Sequence, residues 1–390
     1  MDENLNAVLA IQALRAALYG FGAVLLGEVL ALRGFGPAQA GLVLTAVVAG
    51  MGVSSFLVGA IGPRLPTRSL YVGLLLLMGA SGLVFAATAW LPALVVAGLT
   101  GTISTDPNES GPITTVEQGL IGRSAAPRRL RLFGRYNAIA YLAGAVGSLA
   151  AAAAGTLQRS GQLSVSTEAL FGAFPVVAVV CTAIALTIRD QDGRPVVPEP
   201  PRTKPGRKIV RLSSLFALDA FGGGFVTQAF IAYWLHVRFG AAPEQVGLVF
   251  FGTGFLQAGS SIAAARIAAR AGELNVMVFT HLPSNLLLAA IALAPSFTVA
   301  VVLLLARFAL SQMDVPARQA FVAGLVPPQD RLGAAAYTNL ARYLGRPLGP
   351  VVGGLLMRSL MGAPFLAAGF VKVVYDVALY AEFRREKLLD

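Results

Sequence analysis

The sequence predicts an all-α integral membrane protein, with twelve transmembrane helices in two pseudo-symmetric six-helix bundles. Three observations carry this prediction. Hydrophobic residues make up 56% of the chain and charged residues only 13%, against roughly 25% charged in a soluble domain. The apolar residues gather in runs of about 20, the length that crosses a hydrocarbon core. Short motifs of the first half also return about 200 residues later.

Twelve spans follow in order, their ends set by where charge, glycine and proline interrupt the apolar runs. The first six lie near 7–31, 38–60, 69–88, 91–121, 134–156 and 168–188. The second six lie near 212–238, 243–265, 274–293, 297–326, 332–358 and 362–382. The expected organisation is a bundle over 1–189, a linker over 190–211 and a second bundle over 212–390. The linker is rich in proline and charge and too polar to insert. The N-terminus, MDENLN, is acidic and lacks the basic region of a cleaved signal peptide, so the first span is expected to stay in the membrane.

The net charge of +11 raises a nucleic-acid reading. The positions of the cations point instead to topology. Arg64, Arg68, Arg123, Arg128, Arg129, Arg131, the linker cations, Arg266, Arg270, Arg331, Arg384, Arg385 and Lys387 fall on one side. Only Arg33, Arg159, Arg238 and Arg358 fall on the other. The positive-inside rule then puts the linker and both termini in the cytoplasm, which an even number of spans requires. The lone cysteine, Cys181, excludes disulfides and multi-cysteine metal sites, and its apolar neighbours make it a packing or lipid-facing residue.

The halves read as copies. ALYGFG (17–22) in span one matches ALDAFG (217–222) in span seven. FGPAQAGLV (35–43) matches FGAAPEQVGLV (239–249). Asn137, Tyr141, Leu142 and Gly147 in span five match Asn339, Tyr343, Leu344 and Gly349 in span eleven at the same spacings. Glu28 and Gln228 hold equivalent positions. Duplicated halves are a common layout of secondary transporters, with the solute site near mid-bilayer.

Ionisable residues inside spans are costly and mark candidate sites. At about 100° per residue, Asp106, Glu109 and Glu117 share one arc of span four, with Pro107 and Pro112 expected to kink or break the helix between them. Span ten carries Arg307, Ser311, Asp314 and Arg318 on one face, with a break expected after Asp314 at Pro316. Span eleven adds Asn339, Arg342, Tyr343 and Arg346. Span one adds Gln12, Arg15 and Tyr19, with Glu28 nearly opposite, and span seven adds Asp219, Gln228 and Tyr233. The expected solute-cavity set is Arg15, Tyr19, Asp106, Glu109, Glu117, Asp219, Arg307, Asp314, Arg318, Asn339, Arg342, Tyr343 and Arg346. Buried carboxylates can bind and release protons, which makes Asp314, Asp219 and Glu28 the proton-coupling candidates. Permanent pairing with a neighbouring arginine is the competing role. His281, in THLPSN of span nine, reads as a proton relay or as a histidine hydrogen-bonded to a neighbour.

Twelve spans, a basic central linker and duplicated halves resemble the major facilitator superfamily over nearly the whole chain. That family carries a loop of the form G-x-x-x-D-R-x-G-R between spans two and three. Here Gly59, Arg64 and Arg68 are kept, with Pro63 at the acidic position and Pro66 at the second glycine. The corresponding loop of the second half, AARIAARAG, keeps Arg270 and Gly272. Its antiporters carry G-x-x-x-G-P-x-x-G-G in span five. Here the pattern stands in span eleven, as Gly345, Gly349, Pro350, Gly353 and Gly354. The resemblance implies alternating access, with spans one, four, seven and ten lining the cavity and export slightly favoured over uptake. It also implies a monomer in a bacterial inner membrane, taking a small organic solute and protons, with no cofactor, metal or nucleic acid.

Other classes find little support. No HExxH, GxSxG or Walker A motif is present, which speaks against a membrane enzyme and an ATP-driven pump. A transporter-like sensor or assembly protein without flux is the alternative reading.

Overall fold

The computed structural model describes residues 2–104, 106, 111–122, 126–188, 206–327 and 331–386. Sixteen α-helices are present among them: α1 Asp2–Leu32, α2 Pro37–Ile61, α3 Thr67–Ala87, α4 Leu91–Leu99, α5 Pro112–Gly122, α6 Ala126–Arg159, α7 Ala173–Leu186 and α8 Arg207–Gly224 in the first part. They continue as α9 Gln228–Phe239, α10 Pro243–Ala271, α11 Glu273–Ile291, α12 Phe297–Leu310, α13 Asp314–Gly324, α14 Arg331–Gly345, α15 Leu348–Ser359 and α16 Ala363–Phe383. Ten helical stretches among the described residues are long and apolar enough to cross a membrane. The two remaining expected spans, 91–121 and 332–358, are present as the helix pairs α4–α5 and α14–α15. Helix α8 begins at Arg207, inside the segment expected as linker.

Spans four and ten, equivalent in the two copies, are both broken, and for readable reasons. Helix α4 ends at Leu99, and Gly101 follows with φ +69°, where a Cβ would strike the Gly50 backbone. Only glycine satisfies that conformation and that approach together. Helix α5 then starts on Pro112, whose missing N–H is harmless in a first turn. Span four is therefore not one kinked helix: Asp106 lies in the non-helical connection, Glu117 lies on α5, and Glu109 and Pro107 lie outside the described residues. In span ten the break falls at Ser311–Met313, ahead of Asp314, and Pro316 sits harmlessly in the first turn of α13. Two further breaks divide spans seven and eleven, at Phe225–Thr227 and Arg346–Pro347.

The repeat seen in the sequence has a structural counterpart. Pro37 and Pro243 each open a helix, and a glutamine two residues on reaches back to the preceding backbone. Gly36 N–H donates to Gln39 Oε1 at 3.2 Å, and Ala242 N–H donates to Gln245 Oε1 at 3.0 Å. Each glutamine satisfies one orphan donor of a helix start, as the acid of a capping box does. Glycines also let equivalent helices touch. A Cβ on Gly147 of α6 would fall on the Ala17 carbonyl of α1, and a Cβ on Gly345 of α14 would fall on the Ala217 carbonyl of α8.

The chain packs as two units, 1–197 with 227–251, and 198–226 with 252–390. In the first unit α1 packs on α6, α7 and α9, α3 on α7, and α2 on α4 and α5. Phe85, Phe171 and Phe174 stack there with centroids 5.7 and 5.4 Å apart. In the second unit α11 packs on α16, α12 and α13, and α8 on α14 and α16. Its apolar core includes Leu212, Phe216, Met277, Phe321, Leu379 and Phe383.

Candidate functional site

In the first unit the buried polar residues converge on Glu117. Its carboxylate is wholly enclosed and receives three donors. Arg15 Nη2 reaches Oε2 at 2.5 Å, Tyr136 OH reaches Oε2 at 2.5 Å, and Tyr71 OH reaches Oε1 at 2.8 Å. Arg15 is held in turn by Gln12 one helical turn away and by Tyr136 OH at 3.1 Å, and it lies 5.2 Å from the Tyr19 ring centre. Tyr19 OH donates to the Thr102 carbonyl at 2.6 Å, which ties α1 to the broken part of span four. This is a closed ion pair with its acceptors used.

Asp106 is engaged differently. Its Oδ1 accepts the Gln228 N–H at 2.7 Å, at the N-terminus of α9, where Thr227 already caps Phe230 N–H at 3.3 Å. A carboxylate there meets orphan donors and the positive end of the helix dipole. Glu28 is buried on α1, and its Oε2 has no hydrogen-bond partner among the described residues. Of the residues expected in the loop between spans two and three, Gly59 lies in the last turn of α2 and is half-buried, Arg64 lies between α2 and α3 and is exposed, and Arg68 lies in the first turn of α3 and is half-buried.

The second unit holds a larger cluster. Asp219 on α8 faces Lys372 on α16, with Nζ to Oδ1 at 2.5 Å. Arg318 Nη1 lies 2.9 Å from Asp314 Oδ2 within α13, and 3.8 Å from Asp219 Oδ2. His281 on α11 places Nδ1 2.8 Å from Asp376 Oδ1 and Nε2 3.8 Å from Asp219 Oδ1. Asn285, one turn on, donates to Asp376 Oδ2 at 2.8 Å. Arg318 also lies 5.6 Å from the Phe216 ring centre. All six charged or titratable groups of this cluster are buried. Asp219 divides its contacts among Lys372, Arg318 and His281, while Arg318 also meets Asp314 and His281 also meets Asp376.

The sequence points to Asp219, Asp314 and Arg318 and raises His281, but not Lys372 or Asp376. A signal for these two exists. Lys372 and Asp376 stand one helical turn apart in an otherwise apolar last span, as His281 and Asn285 do in span nine. The family pattern directs attention to spans one, four, seven and ten, and so away from them.

The remaining expected residues are more open. Arg307, Arg342 and Arg346 are half-buried, and Asn339 and Tyr343 are exposed. Arg307 lies 4.7 Å from the Phe308 ring centre. The glycines of the antiporter-like pattern serve packing, since Gly349 meets Gly224 and Gly353 meets the Phe225 carbonyl. Among the described residues no group of three or more His, Cys, Asp or Glu is placed to hold a metal ion.

Comparison with known proteins fits this architecture. Residues 212–388 match the family described as Major Facilitator Superfamily. That match covers the second half of the chain. A variant of the nucleoside transporter NupG superposes with a TM-score of 0.77 at 14% identity, covering 97% of this chain and 100% of that chain. A bacterial homolog of the human lysosomal transporter Spinster gives 0.73 at 16% identity, covering 97% and 94%. A D-xylose-proton symporter gives 0.72 at 13% identity, covering 96% and 97%. At these identities the likeness is one of fold. An uncharacterized membrane protein of Saccharomyces cerevisiae is 23% identical over 386 residues, 88% of this chain and 86% of the relative. The chain is thus a multi-pass membrane protein.

Proposed function

We propose that this protein is a member of the major facilitator superfamily and a proton-coupled secondary active transporter of a small organic solute, working by alternating access. The observation that carries the reading is the divided cluster of the second unit. Buried charge at membrane depth is expensive, and a cluster with shared, exchangeable partners has a use in a cycle that a closed pair lacks. The duplicated halves, 1–189 and 212–390, are the two bodies of the cycle, joined by 190–211. The half-buried or exposed Arg307, Asn339, Arg342, Tyr343 and Arg346 contact the solute. Arg15, Tyr19 and Glu117 hold the first unit's scaffold. Asp219 and Asp314 belong to the proton pathway.

The glycine pattern of span eleven supports export by antiport, and the loop cations support cytoplasmic termini in a bacterial inner membrane. The protein acts as a monomer. The test is solute flux in proteoliposomes of known orientation, over a panel of labelled nucleosides, sugars and organic acids, with and without an imposed pH gradient. Gradient-driven movement of one class is expected. Flux that ignores the gradient removes the coupling, and absence of flux across the panel leaves the sensor reading in its place.

A further inference from the structure

We propose that His281 is a proton-binding site of the second unit, with Lys372 as its competitor for Asp219. The use of that proton in transport rests on the function proposed above; the site itself rests on geometry.

His281 lies between two carboxylates on two other helices, Asp376 of α16 at 2.8 Å from Nδ1 and Asp219 of α8 at 3.8 Å from Nε2. An ionised Asp376 accepts hydrogen bonds and does not donate them, so it fixes the neutral ring with its proton on Nδ1. Asn285 donates to the second Asp376 oxygen at 2.8 Å, and its amide nitrogen also lies 3.0 Å from Nδ1. The lone pair of Nε2 then lies beside Asp219. Uptake adds one bond: a proton from water joins Nε2, and the imidazolium presents N–H groups to both carboxylates. Release returns the proton to water, and no other bond changes.

The surroundings of this site are charged. From α8 comes Asp219, from α13 come Asp314 and Arg318, from α14 comes Arg342, and from α16 come Lys372, Tyr375 and Asp376. The Tyr375 ring stands edge-on to the imidazole with centroids 5.8 Å apart.

The mechanical consequence lies at one oxygen. Lys372 Nζ holds Asp219 Oδ1 at 2.5 Å, and Oδ1 is also the oxygen nearest His281 Nε2. Loading the histidine therefore sets imidazolium against ammonium at a single acceptor. The tie between α8 and α16 weakens as the tie between α8 and α11 forms. One proton thereby changes which helix grips α8.

The chain contains only two histidines, which makes the test direct. Full-length protein labelled with ¹⁵N-histidine in lipid nanodiscs gives two sets of ring resonances. Either His281→Gln or His236→Gln assigns them, so the assignment survives if one variant fails to fold. Expected between about pH 4 and 9 is a reversible imidazole-to-imidazolium transition of His281. Asp219→Asn should lower its proton affinity by at least about tenfold, and Lys372→Gln should raise it, as charges about 4 Å away require. A His281 that holds one protonation state throughout overturns the proposal and identifies it as a fixed strut. A transition unmoved by Asp219→Asn overturns it as well. Neither result touches the flux test, where coupling could still run through Asp314. Conversely, flux that ignored the pH gradient would leave a titrating His281 standing as a proton site.

Discussion

Glu117 in the first unit and Asp219 in the second are both buried carboxylates facing cations, yet they are held in opposite ways. Glu117 has Arg15 to itself, with Tyr71 and Tyr136 filling its remaining acceptor positions. Asp219 pairs with Lys372, shares Arg318 with Asp314 and shares His281 with Asp376. The first arrangement has one low-energy state and nothing to exchange. The second has several partners at unequal distances. A buried ion pair is weak evidence for stability by itself. What separates these two clusters is whether each charge has an alternative partner.

The largest effect that could break this contrast is expected at Glu117. Glu117→Leu leaves Arg15 charged, buried and uncompensated, and should destabilise the protein by about 3–5 kcal/mol. Thermal unfolding in detergent would register this as a large drop in midpoint. The double change Arg15→Met with Glu117→Leu should recover most of the loss. If the single variant is as stable as the parent, the pair is not closed.

Asp314→Asn should cost less, about 1.5–3 kcal/mol, because Arg318 keeps Asp219 within 3.8 Å. Chemical denaturation of the same preparations ranks the two losses. An Asp314 effect larger than that of Glu117 would invert the comparison. Next come Gly147→Ala and Gly345→Ala, which place a methyl against the Ala17 and Ala217 carbonyls. Each should cost about 1–3 kcal/mol by overpacking, and near-equal losses would sharpen the equivalence of the helix pairs α1–α6 and α8–α14. The smallest effect is expected at the surface pairs Lys208–Glu386 and Arg211–Glu382. Glu386→Gln or Glu382→Gln should change stability by no more than about 1 kcal/mol, and less at high salt.

Much of the fold was legible because the membrane imposes a length. Runs of apolar residues located ten helical stretches long and apolar enough to cross a membrane, and duplicated motifs such as P-A-Q and P-E-Q marked real helix starts at Pro37 and Pro243. Proline flagged the broken spans, though in span ten the break falls ahead of the proline rather than at it. Pro112 and Pro316 occupy first helical turns, where their geometry is tolerated, so they follow the interruptions instead of making them. The interruption in span four belongs to Gly101, whose role depends on the approach of Gly50 from another helix. Side-chain partnerships were harder. Helical periodicity put Asp106 and Glu117 on one arc, but the chain leaves the helix between them and each meets a different helix. Lys372 was invisible as Asp219's partner because 153 residues separate them, and no local pattern reports such a meeting.

The passage between α8 and α9 has a practical consequence. At Phe225–Thr227 the polypeptide leaves one packing unit for the other partway along a single span, and it returns within α10. A protease cut in the 190–205 region would therefore produce two fragments, the second of which still contributes Thr227–Phe251 to the unit built from the first. Nicked protein should migrate as one particle until detergent or heat melts that hairpin away.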